Sequence, residues 1–114
     1  MSNGDRAYNL LLTPGSDRLT VRLRDPRAIL VDGVPVQFRT RRAAELLFAL
    51  AQKGSLRCGQ VTRKLWPGTD FEAAAPRLRT AIWDARRGLG AEAWRLERAG
   101  DMLVLHLHPG DLQQ

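Results

Sequence analysis

The chain has one cysteine, two lysines and no long apolar run, and each scarcity narrows what it can be. A lone Cys58 excludes an internal disulfide and fits a reducing, cytoplasmic setting. No apolar stretch approaches the ~18 residues of a membrane span, so a membrane is not an expected partner. Near the N-terminus, Asn9 to Leu12 is far too short for the apolar core of a secretion signal. No Ser/His/Asp or Cys/His arrangement, glycine-rich phosphate loop or carboxylate pair stands out, so neither an enzyme nor a cofactor is expected. Internal repeats and low-complexity segments are also missing.

What is present is an ordinary globular composition: 114 residues, 44% hydrophobic and 26% charged. That length makes one domain, able to bury roughly 65% of its unfolded surface. Eighteen cations against twelve anions give a net charge of +6, which favours a polyanionic partner. Sixteen of those cations are arginine, a bias that genomic base composition alone could produce. The positions of the arginines therefore carry more information than their number.

Residues 1–17 carry Asn, Gly, Pro and Ser without a period and read as an N-terminal tail, with Leu10 to Leu12 able to pack locally. Leu19, Val21 and Leu23 alternate with polar residues, as in a half-buried strand. Asp25-Pro26 marks a turn, and Asp32-Gly33 between two apolar runs is a two-residue hairpin signal. Val34, Val36 and Phe38 alternate again, and Pro35 points to an edge. The period then changes. Thr40 can cap a helix over Arg41 to Lys53, with Gly54 as its stop. Val61, Leu65 and Trp66 predict a second, short helix ending before Pro67-Gly68. A third begins after Asp70 and ends at Gly90, with Pro76 either in its true first turn or at a kink. The last element is a hairpin over Trp94 to Leu107 that turns at Ala99-Gly100-Asp101, and residues 109–114 read as a C-terminal tail.

The third helix is the informative one. Leu78, Ile82, Ala85 and Leu89 form a single stripe and must face the core. At 100° per residue, Arg79, Thr80, Trp83, Arg86 and Arg87 fall largely on the opposite side. Arginine forks can bond guanine edges or grip phosphates, and threonine offers a hydroxyl and a methyl to a base. The same face could equally be solvated, and Asp84 would weaken its field.

The stretch RLRTAIWDARRGLG, from Arg77 to Gly90, resembles the recognition helix of OmpR/PhoB-type winged-helix domains. It is closer still to the N-terminal domain of SARP-type bacterial transcriptional activators. VDGVPVQF, TRRAAELLFAL and RKLWPG resemble, in order, a strand segment, the first helix and the end of the second helix of that family. The resemblance covers about Leu19 to Leu107. It implies an α+β winged helix-turn-helix over residues 18–108: an N-terminal antiparallel sheet, three helices and a C-terminal β-hairpin wing. It also implies a transcription regulator that binds double-stranded DNA, with the third helix in the major groove and the wing on the minor groove or backbone. Carried over by position, Thr80, Trp83 and Arg86 contact DNA, Arg77, Arg79 and Arg87 flank them, and Arg98 lies beside the wing tip. Family members often bind direct repeats head to tail, so a homodimer on DNA is a further expectation. The family also usually attaches this module to another domain, so the chain is either a fragment or a small stand-alone regulator.

Departures from the family pattern fall at Asp84, where a basic residue is usual, at Pro76, and at Arg57 and Gly59, which replace a serine cap and an acid. They motivate an alternative: a winged-helix protein–protein interaction module that has lost DNA reading and meets its partner through Trp83. Trp83 itself suits either a sugar or methyl group or a protein surface. Trp66 is expected in the core and Trp94 at the base of the wing. Arg39, Arg41 and Arg42 surround the start of the first helix, where they could hold a phosphate on free N–H groups or form a solvated turn. His106 and His108 share a strand face but lack Cys or Glu partners, so no metal is expected. Cys58 reads as a small buried thiol in preference to a redox sensor.

Overall fold

The computed structural model describes residues 18–113. The first sheet grows from the expected alternation. Strand β1 (Leu19–Arg22) pairs antiparallel with β2 (Ala28–Val31), which pairs antiparallel with β3 (Val34–Pro35). Asp32 and Gly33 join β2 to β3, both with positive φ (52° and 80°), as a type I′ turn requires. Leu19, Val21 and Ile29 form the buried face.

Helix α1 (Arg41–Lys53) has the expected bounds. Thr40 caps it, its hydroxyl accepting from Ala43 N–H at 3.3 Å, and Gly54 ends it at φ 84°. Ala43, Leu46, Leu47 and Leu50 lie at the centre of the core. After Gly54 comes a short strand not expected from the sequence, β4 (Ser55–Arg57), and then α2 (Cys58–Leu65). Arg57 supplies no side-chain cap to the first turn of α2; instead Gln60 reaches back, its Oε1 accepting the Arg57 N–H at 2.8 Å.

Helix α3 (Phe71–Leu89) starts at the Asp70 cap, where Oδ1 accepts from Ala73 N–H at 2.9 Å. It runs through Pro76, which is its sixth residue and not in its first turn. Glu72 and Pro76 are both exposed, so water can reach the Glu72 carbonyl that lacks its N–H donor. Leu78, Ile82, Ala85 and Leu89 are buried as the stripe demands.

The hairpin is shorter than its alternation implies. Gly90–Arg95 form a 3₁₀ turn, followed by β5 (Leu96–Ala99) and β6 (Met102–Leu105). Strand β6 pairs with β5 on one side and β4 on the other, making a three-stranded second sheet.

Residues 109–114, expected as a tail, are instead drawn into the domain as far as they are described. Leu112–Gln113 form β7, which pairs parallel with β1 and completes the order β3-β2-β1-β7. The cause is electrostatic. Arg95 is fully buried, donating to Glu92 Oε1 from Nε at 2.7 Å and to Asp111 Oδ2 from Nη1 at 2.8 Å. Asp111 Oδ2 also accepts the His108 N–H at 2.7 Å, and Arg18 reaches the other Glu92 oxygen at 3.4 Å. The tail expected over residues 1–17 lies outside the described residues.

Packing of α3 against the segment that leads from β3 to α1 depends on Gly88. A Cβ there would overlap the Phe38 ring and stand 3.3 Å from Val36 Cγ1. Gly88→Ala in an open helix gains about 1 kcal/mol. Here it is expected to lose roughly 1–3 kcal/mol by overpacking, read as a lower urea midpoint. Arg95→Met leaves Asp111 charged and buried. It is expected to cost about 3–5 kcal/mol in the same measurement, and adding Asp111→Asn recovers part of that loss.

Candidate nucleic-acid interface

The exposed side of α3 is set by its buried side. With Leu78, Ile82 and Leu89 fixed in the core, Arg79, Thr80, Trp83, Arg86 and Arg87 are all exposed, as their spacing implies. Trp83 stands near the middle of this arc with 51% of its surface exposed. The Arg87 guanidinium carbon lies 4.6 Å from its ring centroid, a cation–π contact that steadies both side chains.

Asp84 does not belong to that arc. It is only 3% exposed, and its Oδ2 accepts the Thr40 hydroxyl at 3.3 Å. The acid that would have weakened the basic face is turned toward the start of α1, where it ties the two helices together. Glu72, in the first turn, is the remaining acid on the exposed side of α3.

The wing meets this face. Arg79, Ile82, Trp83 and Arg86 of α3 line one groove together with Arg98 of β5. Its floor is apolar and its rim carries three guanidinium groups. Arg86 is exposed yet engaged: Nε and Nη2 both donate to the Leu96 carbonyl, at 3.0 and 2.8 Å. This fork clamps α3 to the first residue of the wing. Arg98 donates from Nε to the Gly100 carbonyl at 3.3 Å, which orients it beside the tip. Among the described residues Arg77 and Arg79 form no ion pair or hydrogen bond, so their donors are open to a ligand.

A second groove holds Arg77 and Thr80 of α3 with Thr40, Arg42 and Trp66. A third depression places Arg39 beside Arg87 and Asp84. Arg41 and Arg42 do not converge on the first turn of α1. Both turn to Glu45, Arg42 Nη1 at 2.6 Å and Arg41 Nε at 3.6 Å, while Thr40 occupies the Ala43 N–H.

Trp66 packs against the core, as its apolar company implies. Trp94 does not: it is 57% exposed, stacked on His106 at 6.5 Å and edge-on to His108 at 6.3 Å. His106 Nε2 is 2.7 Å from Glu97 Oε1 across the wing. Cys58 is buried, and burial pushes its thiol above the ordinary value, with Asp101 adding to the shift and Arg98 opposing it. That is the environment of an inert thiol. Sequence reasoning missed the Leu96 carbonyl, since a side-chain bond to a backbone oxygen ten residues on leaves no mark in residue types.

Among the described residues, two sheets, three helices and a hairpin with α3 exposed beside it define a winged helix-turn-helix. A solved structure from Mycobacterium tuberculosis, EmbR in complex with a low-affinity phosphopeptide, shares this fold with a TM-score of 0.72 at 20% identity. The match covers 83% of this chain and 27% of that one, so the likeness spans about a quarter of the longer protein. No family model matches the chain, and no curated protein matches it. No helix among the described residues is long and apolar enough to cross a membrane.

The Arg86 fork is open to direct test. Arg86→Lys keeps the charge but cannot form the paired bonds. Amide exchange over Glu97 to Val104 is expected to quicken in this variant, while that of α1 stays unchanged.

Proposed function

We propose that this chain is a non-enzymatic, DNA-binding module of a transcription regulator of the OmpR/PhoB type, acting in the bacterial cytoplasm. In this reading α3 enters the major groove of double-stranded DNA and the β5–β6 wing rests on the minor groove or backbone. The observation that carries it is the convergence of Arg79, Trp83 and Arg86 with Arg98 of the wing on one exposed groove. The roles divide by geometry. Arg79 and Thr80 read base edges. Arg98, Arg77 and Arg87 serve phosphates or neighbouring bases. Arg86 chiefly fixes the angle between helix and wing. Arg42 lines the groove beside Thr80, and both Arg42 and Arg41, paired with Glu45, contribute chiefly long-range field. Pairing of two copies on a direct repeat belongs to the same proposal.

A second reading is supported by the exposed Trp83: the same face meets a protein, including another copy of this chain. The two separate in one experiment. Fluorescence anisotropy of a labelled duplex is followed between ~50 and 200 mM salt. DNA binding predicts affinity that falls steeply with salt. Arg98→Ala is expected to lower the log–log slope by about one, and Arg79→Ala to weaken binding by roughly 1–3 kcal/mol. Absence of binding at the lowest salt overturns the proposal. Concentration-dependent sedimentation that Trp83→Ala abolishes would then establish the second reading.

A further inference from the structure

The geometry points to Trp83 as a thymine reader: we infer that its indole packs on the C5-methyl group of a thymine in the major groove, making that base a specificity determinant of the DNA site. This inference rests on the DNA-binding reading and adds what the face selects.

The argument begins with a mismatch. A helix face made for phosphates alone needs guanidinium groups and hydroxyls, and this one places a large apolar ring at its middle. Trp83 is 51% exposed and adjoins Ile82 on the floor of the groove below Arg79, Arg86 and Arg98. Thymine is the one base that projects an apolar group, its C5-methyl, into the major groove. Among the base edges, an apolar side chain at the centre of a reading face therefore finds its apolar partner in that methyl group. Arg79 stands one helical turn before the indole and Arg87 one turn after it. Arg87 lies on the ring at 4.6 Å, which limits the motion of the indole before any DNA arrives. Asp84, the acid next to Trp83 in the chain, is withdrawn to Thr40 and does not repel an approaching duplex. The indole N–H remains available to a neighbouring acceptor such as guanine O6 or N7.

The test uses the full chain and DNA alone. A duplex is first selected by the wild-type protein from a random library. Each thymine in the recovered site is then replaced singly by deoxyuridine, which removes only the methyl group. At one or more positions wild-type affinity is expected to fall about three- to fivefold, the scale of one methyl removed from an apolar contact. Trp83→Ala, checked for an unchanged thermal melt, is expected to bind the thymine and deoxyuridine duplexes equally while keeping its salt dependence. Insensitivity of the wild type to every replacement overturns the inference and leaves DNA binding standing. So does methyl discrimination that survives in Trp83→Ala. A library that yields no enriched sequence overturns the inference together with base reading by Arg79 and Thr80, while DNA binding itself stands or falls on the anisotropy titration.

Discussion

One buried guanidinium holds this fold together at its seam. Arg95 sits where the 3₁₀ turn after α3 gives way to the wing, fully enclosed, between Glu92 and Asp111. A charge in such a place is costly unless it is paired and hydrogen-bonded, and here two carboxylates and a backbone carbonyl receive its donors. Each partner belongs to a different part of the chain. Glu92 lies in the turn and also reaches Arg18 at the edge of β1. The His106 carbonyl, 3.2 Å away, closes the end of the wing. Asp111 brings in the last strand. Aliphatic side chains could fill the same volume, but they would not dictate which segments meet there.

That seam fixes where the wing begins, and two further contacts fix how α3 stands beside it. On its inner side Gly88 lets the Phe38 ring lie against the helix backbone. On its outer side Arg86 grips the Leu96 carbonyl with two bonds. Between them the rotation of α3 is settled, and with it the set of side chains that faces outward. The exposed groove of Arg79, Trp83 and Arg98 follows from packing chosen elsewhere. An exposed surface assembled from a helix and a clamped hairpin needs little ordering when it meets a ligand, which favours affinity.

Much of the architecture was legible in the sequence, because hydrophobic period and capping chemistry act over short distances. Helix α1 has its expected bounds since Thr40, the Ala43–Leu50 stripe and Gly54 agree. The Asp32-Gly33 turn is visible for the same reason. What stayed hidden depends on partners far along the chain. Strand β4 spans three residues and exists because β6 offers it an edge. Strand β7 spans two, too few for any period, and is placed by an ion pair sixteen residues long. Asp84 looked like an exposed acid because residue type cannot reveal the Thr40 hydroxyl waiting 44 positions away. The composition of the arginine face could be read from spacing. Division of labour within it could not, since Arg79 and Arg86 look alike until one is seen to hold a carbonyl.

The lone cysteine gives the molecule a clock. Cys58 is sealed at the start of α2, and its N–H is held by the Asp101 carbonyl at 2.8 Å, at the tip of the wing hairpin. A reagent can reach the sulfur only when the structure around it opens, locally or as a whole. With no other thiol in the chain, every labelling event has one address. The rate at which the sulfur is marked thus reports how often the core around the start of α2 opens, a property of the whole packing recorded by a single atom.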